Sequence, residues 1–241
     1  FYTLSTWWFD DTNWCGKPGI SPKVKRIPKN HIEAAEIWFD FLSKWKDIIG
    51  FKNLVYVDIH NEIPFFMSGY KKMLKEKLNL DWDKGLPFNL EQIEFLANDI
   101  NTAIKLLQRE FPELRFTASI HGDERWFSVP LIFDCLDVHF YLDADERWTN
   151  RTKFNEFISD GFYEKDEWFK EFSDRCMKTH NSIMPMLFQK QQQKLANFSA
   201  WSQKMGMPLT TSESWATWYY FDHKDLNWDW LLQWAEMTVE G

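Results

Sequence analysis

Apolar residues fall into two rhythms along this chain. Leu54 to Ile59, Arg115 to Ile120, Leu136 to Leu142 and Pro208 to Ser212 are short runs rich in β-branched and aromatic side chains and bounded by polar, Gly or Pro residues. Such runs predict buried strands, and Phe1 to Phe9 joins them. Between them apolar positions recur every three or four residues. Ala35, Trp38, Leu42, Trp45 and Ile49 predict a helix over His31 to Ile49, closed by Gly50. Asn89, with Gln92 three places on, predicts a capped start for a helix whose apolar face is Ile93, Leu96, Ile100, Ile104 and Leu107. Further helical patterns cover about Tyr70 to Lys77, Val129 to Cys135, Glu164 to Lys178, Leu187 to Lys204 and Asn227 to Met237. The order is strand then helix, repeated, which implies an α/β fold with a parallel sheet covered by helices. The segment from about 143 to 207 interrupts the alternation and reads as an enlarged insertion.

Polar or aromatic residues stand at the C-terminal end of every predicted strand: Trp7 and Trp8, Asn61-Glu62, His121-Gly122-Asp123, Tyr141, and Glu213. A (β/α)8 barrel (the TIM barrel) keeps its chemistry at that edge. A doubly wound sheet would carry a Gly-rich phosphate loop after a strand, and none is present. Five strand-helix units are too few to close eight, so the expectation is an incomplete barrel in one domain, residues 1–241.

Composition narrows the partners. The net charge of −8 argues against nucleic acid, which wants basic stripes. No apolar segment reaches transmembrane length and no signal peptide is visible, so no membrane partner is expected. The chain begins at Phe1 in strand-like sequence, which reads as a processed chain or one lacking earlier residues. Cys15, Cys135 and Cys176 have neither disulfide-framework nor zinc spacing. Asn150-Arg151-Thr152 and Asn197-Phe198-Ser199 match a glycosylation pattern that also recurs by chance. Aromatic residues make up 18%, with 15 Trp, more than a core alone requires. Trp7, Trp8, Trp14, Trp126, Trp148, Trp215 and Trp218 fall at or after strand ends, where an indole can stack on a pyranose. Trp38, Trp45, Trp230 and Trp234 fall on helical stripes and are expected in the core.

Two glutamates at two strand ends, Glu62 and Glu213, are the pair that acid/base chemistry on a glycosidic bond requires. A retaining mechanism sets two carboxyls about 5–5.5 Å apart, one protonated to assist the leaving oxygen and one ionised to attack the anomeric carbon. Asn61 could hydrogen-bond a sugar hydroxyl more strongly as the ring flattens. Two other readings stay open. His60, His121 and His139 near successive strand ends could ligate a catalytic metal, with Glu62 as ligand or base. A sugar-binding barrel without turnover is the second.

Asn61-Glu62, then Asp137-Val138-His139-Phe140-Tyr141, then Ser212-Glu213, in that order, resemble the retaining glycoside hydrolases of the cellulase superclan, in the style of family 5. The resemblance implies that Glu62 is the general acid/base and Glu213 the nucleophile. It also implies that Asn61 contacts the sugar 2-hydroxyl and that His139 and Tyr141 flank the nucleophile, with a carbohydrate substrate and no metal or other cofactor. In that pattern the strands here are the third to the seventh of eight.

Overall fold

The computed structural model describes residues 1–6, 28–64, 67–79, 89–159, 166–214, 217 and 223–240. Their contacts fall into two compact units, where the sequence leads to one domain: residues 1–138 with 201–210, and 139–200 with 211–241.

The first unit carries the strands. β1 (Tyr2–Leu4) pairs in parallel with β2 (Leu54–Asp58), and β2 pairs in parallel with β3 (Phe116–Thr117) through Val57↔Phe116 and Asp58↔Thr117. A second small sheet has the order β4 (Ile120–His121), β5 (Leu136–His139), β6 (Leu209–Thr210), and β5 runs parallel to β6. The isolated parallel bridge Ile63↔Ile120 extends the β2 line to β4.

Where one strand is expected over Arg115 to Ile120, two short ones form. Ser119 lies in the gap, and its N–H goes to the Asp58 carboxylate at 3.0 Å instead of to a neighbouring carbonyl.

α1 (His31–Ile48) starts under an Asn30 cap. α2 (Ser68–Leu78) is the helix expected near Tyr70. α3 (Leu90–Glu110) opens with the Asn89/Gln92 capping box, both reciprocal bonds being formed. Ile93, Leu96, Ile100, Ile104 and Leu107 of α3 are buried, as are Ala34, Ala35, Trp38 and Leu42 of α1. With Val57, Ile59, Phe116 and Ile120 they make the core of this unit.

The helix expected over Val129 to Cys135 does not form. Pro130 disfavours it, and the Asn101 side chain donates to Pro130 O (2.8 Å) and accepts from Ile132 N–H (3.1 Å), taking up backbone groups that a helix would use. A short 3-10 helix, Glu124–Ser128, stands before it instead.

In the second unit α4 (Glu146–Thr152), α5 (Phe154–Ser159), α6 (Asp166–Met205, whose last turn belongs to the first unit) and α7 (Asp229–Glu240) surround an aromatic core. Phe157 and Phe172 stack at 4.1 Å and 9°, with Trp148, Phe154, Phe169, Trp230 and Trp234 buried around them. The two helices expected between 164 and 204 are one, running through Pro185. An interior proline costs about 3 kcal/mol. Burying Ile183 and Leu187 on either side recovers about 1.5–3 kcal/mol each. Among the described residues no helix is long and apolar enough to cross a membrane.

Candidate active site

Asp58 ends β2 inside the first unit, 1% exposed. Its Oδ2 accepts from the Ser5 hydroxyl (2.8 Å) and the Ser119 hydroxyl (3.0 Å), and its Oδ1 from the Ser119 N–H (3.0 Å) and the His60 N–H (3.2 Å). Burial pushes its pKa up to about 6, against the Ser5 and Ser119 hydrogen bonds, while the Asp137 charge adds to the rise. Ser119 passes this order on, because its hydroxyl oxygen accepts from the Glu62 N–H at 2.8 Å and lies 3.3 Å from Asn61 Oδ1. Asn61 N–H donates to Thr6 O (3.1 Å) and Ile63 N–H to Ser119 O (3.0 Å).

Glu62 itself takes a left-handed backbone conformation, φ 57°, before a cis Ile63–Pro64 bond. A non-glycine residue holds that conformation only where its surroundings over-determine it, and here four backbone bonds on the segment do so. The Glu62 side chain is 8% exposed, with Oε2 3.5 Å from Nε2 of the partly exposed His121. The first unit thus brings Asn61, Glu62 and His121 together.

The second unit brings His139, Tyr141, Ser212 and Glu213 together. The Tyr141 hydroxyl donates to Glu213 Oε2. His139 Nε2 and Ser212 Oγ lie 3.2 Å apart, and Phe140 bridges Ser214 in parallel, which fixes the two segments side by side. A carboxylate held at one oxygen by a phenol presents the other oxygen in a set direction, which suits a nucleophile.

The tryptophans divide differently from expectation. Trp126, in the 3-10 helix, and Trp148, on α4, are each 1% exposed and have no face to offer a sugar. Both sit on helical turns whose apolar side is packed, and Trp148 meets Phe172 edge-on at 6.3 Å. Trp7, Trp8, Trp14, Trp215 and Trp218 lie outside the described residues.

For the metal reading, His60 Nδ1 is already engaged by His31 at 2.7 Å and is not open to a metal ion.

The family model described as sugar-binding cellulase-like matches residues 3–241. The chain belongs to this cellulase-like family. Its fold is similar to the crystal structure of a candidate glycoside hydrolase from Parabacteroides distasonis ATCC 8503, with TM-score 0.65 and 19% identity over 87% of this chain and 53% of that one. The chain therefore spans about half the length of that protein. No curated protein matches it.

Residues that sequence reasoning passes over in this cellulase-like chain are those around the Asn-Glu turn: Ser5, Asp58, Ser119, His31, and Asp99, whose Oδ2 lies 2.5 Å from His31 Nδ1. Asp58 had one legible signal, a carboxylate directly inside the apolar run Leu54 to Ile59. Ser119 and Asp99 had none, since a lone Ser or helix-face Asp is ordinary.

Proposed function

We propose that the chain is a retaining glycoside hydrolase on a barrel of the (β/α)8 type, acting on an oligo- or polysaccharide with Glu62 as acid/base and Glu213 as nucleophile. The observation that carries this reading is the Tyr141 hydroxyl on Glu213, which orients one carboxylate for attack. Glu62, nearly buried and braced at its own N–H, suits proton delivery to a departing oxygen. In the first step a Glu213 oxygen bonds to the anomeric carbon as the glycosidic oxygen leaves with the Glu62 proton. In the second, Glu62 takes a proton from water, which displaces Glu213 with net retention. Asn61 contacts the 2-hydroxyl, and His121 and His139 line the sugar.

A screen of aryl glycosides finds the sugar. Glu213→Ala should then lose several orders of magnitude whatever the leaving group. Glu62→Ala should lose about 10²–10⁴-fold on poor leaving groups and far less on good ones. With azide it should regain turnover and form a glycosyl azide of retained configuration. A mechanism-based fluorosugar should label Glu213, and labelling of Glu62 would exchange the two roles.

The family's description as sugar-binding favours a second reading, a carbohydrate binder without turnover. Saturable sugar binding by calorimetry with no hydrolysis across the screen would select it.

A further inference from the structure

Two fully buried histidines of the first unit take no part in the chemistry above. His31 is the first residue of α1, and both of its ring nitrogens are engaged. Nδ1 lies 2.5 Å from Asp99 Oδ2 on α3, and Nε2 lies 2.7 Å from Nδ1 of His60, the residue before Asn61-Glu62. The His31 N–H also donates to Asp99 Oδ2 at 3.3 Å. From the same helix, Trp38 Nε1 donates to Ile59 O at 3.1 Å. α1 therefore grips consecutive residues of the turn, one by its carbonyl and one by its side chain.

The protons in this chain are constrained. An ionised Asp99 can only accept, so His31 Nδ1 carries a proton. With His31 neutral, its Nε2 presents a lone pair, so His60 donates from Nδ1 and carries no proton at its own Nε2. Burying two imidazoles is costly unless each is hydrogen-bonded, and apolar residues would fill the space more cheaply. What a satisfied polar chain adds is direction.

We propose that Asp99, His31 and His60 are positioning residues that fix the His60 tautomer and hold the turn bearing Asn61 and Glu62 in its left-handed conformation. The proposal rests on the acid/base role given to Glu62. Loosening the chain should act as a mild version of losing Glu62, which a purely structural defect would not imitate.

Nitrogen-15 NMR of the whole chain tests it without substrate. His60 should be protonated at Nδ1 and not at Nε2. Asp99→Asn should shift the Asn61 and Glu62 amide resonances and leave the Trp230 and Trp234 indole signals in place. His60 protonated at Nε2, or unmoved Asn61 and Glu62 amides, would overturn the proposal.

The second arm uses aryl glycosides of the sugar found in the screen. In Asp99→Asn and His31→Gln, kcat/KM should fall about tenfold or more for phenyl glycosides and less than about threefold for 2,4-dinitrophenyl glycosides. An equal loss for both overturns the proposal. Asp99 is partly exposed, so its variant serves if His31→Gln does not fold. Glu62→Ala is the reference. If it shows no leaving-group dependence, or if no glycoside turns over, the role of Glu62 fails and the NMR arm alone decides the chain.

Discussion

Asp58 shows how one buried side chain links folding to proton concentration. Its folded pKa of about 6 stands above the ordinary 3.8, so between those values the native state binds more proton than the unfolded chain. The contribution is present in full below about pH 4 and is lost as pH rises through 6, on the order of 3 kcal/mol. Asp145 acts in the opposite direction. The Arg147 guanidinium and the Lys190 ammonium, 2.8 Å away, hold its carboxyl well below the usual range, so its contribution is lost as acid is added. Urea unfolding of wild type and Asp58→Asn at about pH 2, pH 4 and pH 7 separates the two effects, the Asp145 loss falling below pH 4 and the Asp58 loss above it. The variant should lack the alkaline-side loss and keep the acid-side one. At this scale the sequence exposes groups that react and hides groups that support them. Glu62 and Glu213 stand out because each follows an apolar run, whereas Asp58 has meaning only once Ser5, Ser119 and His60 converge on it.

Elements were legible where their signals are local. The Asn89 capping box and the α1 and α3 stripes concern residues three or four apart; α1 begins and ends within a residue of expectation, and α3 starts directly after its expected cap, although Ile49, the last of the α1 stripe, is exposed and Trp45 only half-buried. Three misreadings involve partners distant in sequence. Asn101 on α3 captures Pro130 and Ile132, Asp58 takes the Ser119 amide, and the core of the second unit carries α6 through Pro185. These two kinds of interaction should differ in cost. Asn89→Ala removes a cap and should cost about 1 kcal/mol in urea unfolding. Asn101→Ala strands a carbonyl and an amide in a part-buried place and should cost about 2–4 kcal/mol.

For the whole molecule, composition pointed the right way for an incomplete reason. The aromatic excess suggested rings facing sugar, yet Trp38, Trp126, Trp148, Trp201, Trp230 and Trp234 are all buried. Much of the excess builds cores, and the carbohydrate connection comes from the family. Net stability of a domain is only about 5–15 kcal/mol, so a local departure from the easiest backbone matters to the total. Glu62, at φ 57°, sits where folding alone would choose glycine, at a cost of order 1–2 kcal/mol. The usual inactive controls are therefore not equivalent. Glu62→Ala keeps the backbone penalty, whereas Glu62→Gly relieves it and should melt several degrees higher, about 2–8 °C by scanning calorimetry. An activity-free library sorted only for thermal tolerance should drift toward glycine at position 62. In this protein selection for endurance and selection for catalysis would pull the same codon in opposite directions.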